Sequence, residues 1–101
     1  MPYGYLGTMR TQPGLRDEVV RSLVEGAEAV RAVGCQLYVV SVNAQDPDRI
    51  WVNEVWDSKE QHDASLQLPA VKAAIAETMP KLTGEFTSQE LQVIGGLGVK
   101  G

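Results

Sequence analysis

Residues 50–78, IWVNEVWDSKEQHDASLQLPAVKAAIAET, constrain this chain more than any other stretch, because an aromatic-bearing strand runs straight into two short helical segments. Side chains along 50–56 alternate between two faces, with Ile50, Val52, Glu54 and Trp56 on one and Trp51, Asn53 and Val55 on the other. Each face holds a large apolar group and a polar one. That pattern suits a strand packed against helices on one side and against a partner on the other. Asp57 or Ser58 can cap the helix that follows, Glu60 and Gln61 fall in its first turn, and Pro69 opens the Ala-rich segment 70–78. The first of these two pieces carries the only histidine, His62. A small-ligand pocket can form where strand and helices meet.

The remaining elements arrange themselves around this stretch. Residues 3–11 read as a strand with Tyr3, Tyr5, Gly7 and Met9 on one side, so that Tyr3 and Tyr5 line either a cavity or a dimer core. Pro13 and Gly14 break it. Leu15, Val19, Val20, Leu23, Val24, Ala27 and Val30 then recur at helical spacing, which predicts an amphipathic helix over 15–33 that Gly34 stops. The β-branched run 35–42 predicts a second strand, and NAQDPD predicts a turn longer than a tight two-residue hairpin before Ile50. Pro80 closes the helical region and 84–94 returns to strand character. The order β-α-β-β-α-β is the α+β, ferredoxin-like split arrangement with an antiparallel sheet. Helices on one face leave the other face bare, and a second copy of the same sheet is its simplest cover, so a homodimer is expected. Residues 1–101 are read as one domain, with the glycine-rich tail 95–101 either flexible or laid along the partner.

Composition excludes several functions. A net charge of -4 with nine scattered Lys and Arg residues argues against binding nucleic acid, which needs clustered positive charge. Cys35 is the single cysteine, so no internal disulfide or cysteine zinc cluster forms, and its place after Gly34 at a strand start suits a buried structural thiol. The start MPYGYLGTMR lacks the charged and apolar regions of a leader, and no long apolar span occurs, so the cytoplasm and no membrane association are expected. GGLG lacks the context of a phosphate loop, and HExxH is absent, so no cofactor or metal is expected.

The order of elements, together with TMRTQPGLRDEVVRSL, NEVWDSKEQHDASLQLPAVKAAI and the terminal strand, resembles the antibiotic biosynthesis monooxygenase-like domain of the dimeric α+β barrel superfamily over nearly the whole chain. The resemblance implies a sheet-to-sheet dimer with a pocket in each subunit. Its members include enzymes that oxidise quinols, phenols or anthrones with dioxygen and without metal, flavin or nicotinamide. Glu54, Trp56 and Asp57 match the family's strand end, whereas the family's usual histidine position falls at Ser65, with His62 one turn earlier.

In such a reaction the substrate is the reductant, and the protein places it, takes its proton and excludes water. The implied roles are His62 as proton acceptor, Asn53 and Tyr38 as hydrogen-bonding groups, Trp56 as a stacking wall, and Tyr5 and Ser65 as lining. Glu54 is either a buried proton acceptor or an ion-pair partner of Arg49 or Arg10, and Asn53 and Trp56 fall on opposite strand faces. His62 faces either the pocket or solvent, and its spacing to Asp63 does not put the two on one helix face. A non-catalytic dimeric domain that binds a small molecule or serves a structural role stays open, with haem degradation or an isomerase-type reaction less favoured. An apolar pocket with a buried base favours catalysis, and a filled pocket with His62 in solvent favours the alternative.

Overall fold

The computed structural model describes residues 2–100. The chain runs β1 (Tyr3–Thr11), α1 (Arg16–Arg31), β2 (Cys35–Asn43), β3 (Asp46–Trp56), α2 (Lys59–Ser65), α3 (Pro69–Thr78), a 3-10 turn (Met79–Lys81) and β4 (Leu82–Gln92). The strands form one four-stranded antiparallel sheet in the order β2-β3-β1-β4, the split βαββαβ topology that the element order predicts.

Local chemistry explains the helix ends. In α1, Asp17 and Glu18 sit in the first turn and Arg31 in the last, each complementing the helix dipole. Gly34, at φ 107°, supplies the left-handed turn that carries the chain from α1 into β2. Ser58 rather than Asp57 caps α2, its Oγ accepting from the Gln61 N–H at 3.2 Å. Leu68 is extended, as a residue before proline prefers, and Pro69 starts α3.

Two strand boundaries differ from expectation. The segment NAQDPD is not a long loop: β2 runs to Asn43 and β3 begins at Asp46, leaving a two-residue turn. Asn43 Oδ1 closes that turn by accepting from the Gln45 N–H at 2.9 Å. The polar start of β3 is held as strand by ion pairs, since Asp46 accepts from Arg49 Nε at 2.9 Å and Arg10 Nη1 at 3.4 Å. At the other edge, β4 begins at Leu82 and ends at Gln92 instead of spanning 84–94. Thr11 pairs with Leu82 and Met9 with Phe86, so Gly84, at φ 90°, lies inside a bulge of the strand.

The inner face of the sheet carries Ile50, Val52, Glu54 and Trp56 of β3 and, opposite them on β1, Met9, Gly7, Tyr5 and Tyr3. Two buried clusters form there. Val19 of α1 packs with Ile50, Val52 and Leu82, while Val30 of α1 packs with Tyr3, Cys35 and Trp56. Val39 and Leu91 project from the other side of the sheet, where each keeps nearly half its surface exposed. Past β4, the Val93 N–H donates to the Pro2 carbonyl at 3.2 Å and the Lys100 N–H to Gln36 Oε1 at 2.7 Å. The tail thus folds back toward β2, although Ile94 and Leu97 stay exposed; Gly101 lies outside the described residues. Among the described residues no helix is long and apolar enough to cross a membrane.

Candidate functional site

A cavity of about 550 Å³ opens between the inner face of the sheet and the three helices. Its floor is Tyr5, Gly7, Tyr38, Val52 and Glu54, its roof includes Leu23 and Gly26 of α1 and Ala70, Val71, Ala74 and Ile75 of α3, and Trp56, His62 and Ser65 close one side. Small side chains on the roof leave the space. Gly7 lets the Tyr5 ring lie flat along the sheet, because a Cβ at that position would stand 2.7 Å from Tyr5 Cε1.

His62 sits among three aromatic rings. Its ring centroid is 5.0 Å from Tyr3, 5.6 Å from Tyr5 in a stacked arrangement and 5.5 Å from Trp56 edge-on. Only 11% of its side chain is exposed. Sequence spacing predicts no shared helix face with Asp63, yet His62 Nδ1 meets Asp63 Oδ1 at 2.9 Å, because Nδ1 lies close to the backbone and the neighbouring carboxylate folds back to it. That hydrogen bond holds the Asp63 carboxyl below its usual range. Lys59 Nζ lies 3.6 Å from Asp63 Oδ2 and 2.6 Å from Glu90 Oε1, which in turn accepts from Tyr3 Oη at 2.9 Å. Burial, seconded by this bond to Glu90, pushes the Tyr3 phenol up to about 12. Ser65 is buried and donates to the His62 carbonyl at 2.6 Å, which ties down the helix carrying the imidazole.

Glu54 forms no ion pair with Arg10 or Arg49. Those arginines pair with Asp46 and Glu85 instead, while Glu54 Oε1 accepts from Trp56 Nε1 at 2.9 Å. Burial raises the Glu54 carboxyl above its ordinary range and raises the Tyr38 phenol as well. Both stay closer to their protonated forms than they would in water. Asn53 falls outside this group: it is exposed and points to the opposite face of β3, as strand alternation requires. The structure therefore gathers His62, Glu54, Trp56, Tyr38, Ser65 and Tyr5 at one cavity and leaves Asn53 out.

Sequence reasoning gave no site role to Lys59, Asp63 or Glu90; Asp63 adjoins His62 and Lys59 reaches Asp63 within α2, and only Glu90 is brought to them by β4 pairing beside β1. The one available signal was helical spacing of Lys59 and Asp63. Cys35 is buried and its Sγ donates to the Leu37 carbonyl at 3.4 Å; burial pushes its thiol up to about 11, which suits packing rather than nucleophilic use. Among the described residues no three His, Cys, Asp or Glu side chains converge as a metal site.

The model of the family "Antibiotic biosynthesis monooxygenase" matches residues 2–77. A solved structure of an antibiotic biosynthesis monooxygenase-type protein from Chloroflexus aurantiacus is 45% identical, with a TM-score of 0.88 over 99% of this chain and 100% of that one. One from Deinococcus radiodurans is 25% identical, with a TM-score of 0.78 and full coverage of both chains. Rv0793 from Mycobacterium tuberculosis, 18% identical, shares the fold with a TM-score of 0.81 over 96% of this chain and 99% of that one. No curated protein matches the chain.

Proposed function

Given that the chain belongs to the antibiotic biosynthesis monooxygenase family, we propose that its cavity takes a small aromatic quinol, phenol or anthrone and that the protein oxidises it with dioxygen without a bound cofactor. One observation carries this reading: an almost buried imidazole, oriented by a carboxylate, stands among aromatic rings beside an apolar cavity. Asp63, accepting at Nδ1, favours the tautomer with the proton there and leaves Nε2 free to accept one. Removal of the substrate's phenolic proton makes an electron-rich anion that reduces dioxygen by one electron, and the two radicals recombine. For an anthrone, the ring methylene plus O2 becomes a carbonyl plus water, with both reducing electron pairs drawn from the substrate. Tyr5 supplies flat apolar surface for the ring, Trp56, itself buried, backs that wall, and α1 and α3 roof the cavity.

Burial of His62 favours catalysis over a purely structural role. A homodimer belongs to the same proposal: the face bearing Val39 and Leu91 would pack on its own copy, with Ile94 and Leu97 of the tail as an arm.

Oxygen uptake by purified, metal-free protein tests the reaction on a panel of hydroquinones and anthrones. His62→Ala is expected to lower turnover by about 10²- to 10⁴-fold, the range of a lost general base. Undiminished turnover in a folded His62→Ala variant removes His62 from the mechanism. A protein that binds panel members and consumes no oxygen with any of them fits the small-molecule-binding alternative.

A further inference from the structure

We infer that Glu54 and Tyr38 form a second polar station in the cavity, which selects aromatic ligands carrying a phenolic hydroxyl in addition to the one that meets His62. The inference rests on the proposed aromatic occupancy of the cavity but not on turnover. Glu54 lies on an inner strand, with Tyr5 of β1 and Tyr38 of β2 directly opposite it in register. Adjacent strands are about 4.8 Å apart, so these three side chains rise from one row across the cavity floor. Tyr5, at one end of the row, stacks on the imidazole, Trp56 Nε1 donates to Glu54 at its centre, and Tyr38 lies on the far side of Glu54 from Tyr5.

The bonding at this row is incomplete. Glu54 accepts one hydrogen bond at Oε1, and among the described residues neither Oε2 nor Tyr38 Oη has a protein partner. Both groups belong to the cavity lining, and neither is sealed off as a buried orphan. Among the described residues no cation pairs with Glu54; Arg10 and Arg49 lie on the opposite face of the sheet, paired with Asp46 and Glu85. A phenolic hydroxyl suits both groups in chemical terms. It donates to Glu54 and accepts from Tyr38, so that all three groups are satisfied within an apolar wall. A methyl ether cannot donate and leaves the carboxyl unpaired, which is the situation in which a buried site discriminates well between otherwise similar ligands.

Anaerobic calorimetric titration with naphthalene-1,5-diol, its monomethyl ether and its dimethyl ether tests the inference. Two polar stations give two losses of affinity along this series, each about tenfold. In Glu54→Leu the first loss disappears, so diol and monoether bind alike while the second methylation still weakens binding; Tyr38→Phe shrinks the first loss. Circular dichroism confirms that the variants are folded. A single loss in the native protein, a first loss that survives in Glu54→Leu, or no binding of any of the three overturns the inference. Two losses in the native protein with no oxygen uptake on any substrate would leave the second station standing and overturn only the proposed reaction.

Discussion

Helices α1 and α3 cover the same sheet face in opposite ways. From α1, Val19 and Val30 reach the sheet, and Val19 and its partner Ile50 keep no exposed surface at all. From α3 nothing is buried, and Ile75 keeps 43% of its surface exposed. The difference lies in side-chain length at the facing positions. Branched residues of α1 fill the gap to β3, whereas Ala70 and Ala74 of α3 cannot reach the sheet and leave the cavity beneath them. The α1 side of the molecule is tightly packed and the α3 side is left hollow. A domain of this size gains little core from the hollow end, so the packed end has to carry most of the fold.

Truncation on the two sides breaks or sharpens this contrast. Ile50→Ala is expected to cost about 3 kcal/mol, the midrange for a fully buried aliphatic side chain, whereas Ile75→Ala should cost under about 1 kcal/mol. Urea unfolding of the two variants measures both, and equal losses would mean that α3 is as tightly packed as α1. A smaller effect is expected at the cavity floor. Gly7→Ala places a methyl where the Tyr5 ring lies, forcing the ring upward into the cavity. The expected cost is about 1 kcal/mol, with weaker aromatic binding because the lifted ring takes up ligand space. Stability lost with ligand affinity intact would show that Tyr5 is not part of the binding floor.

The same contrast separates what could be read in the sequence from what could not. Periodicity marked α1 by its apolar spacing and put Ile50, Val52, Glu54 and Trp56 on one face, because both signals depend only on local geometry. The start of β3 was hidden because Asp46, Pro47 and Asp48 read as turn residues; Asp46 pairs locally with Arg49 and also with Arg10, which only strand pairing brings alongside. His62 looks solvent-facing between Gln61 and Asp63, yet Tyr3 and Tyr5 enclose it because β1 pairs with β3 so that Tyr3 meets Trp56 and Tyr5 meets Glu54. The cavity was expected as a possibility only. Its size depends on how far α3 stands from the sheet, which no residue of α3 encodes alone.

The smallest effect concerns Glu54, the one carboxyl on the hollow side that burial moves upward while Asp46 and Glu85, at the ion-paired end, are moved downward, Asp46 by its hydrogen bond from Arg49 and Glu85 by its bond from Arg10. A carboxyl with a raised folded-state pKa binds its proton more tightly in the folded chain than in the unfolded one. Between its ordinary value of 4.5 and the higher folded value the native state holds more protons, so Glu54 withdraws stability as pH rises through that window. The downward-shifted carboxylates have the opposite sign and withdraw stability as pH falls. Glu54→Gln removes one contribution and keeps the other. Chemical unfolding of native protein and variant should therefore give matching pH dependence at the acid end and a relative gain for the variant that develops above pH 4.5 and then levels off. A constant difference at every pH would mean that Glu54 titrates in the folded protein as it does in the unfolded chain, and the hollow side would then be wetter than its apolar lining implies.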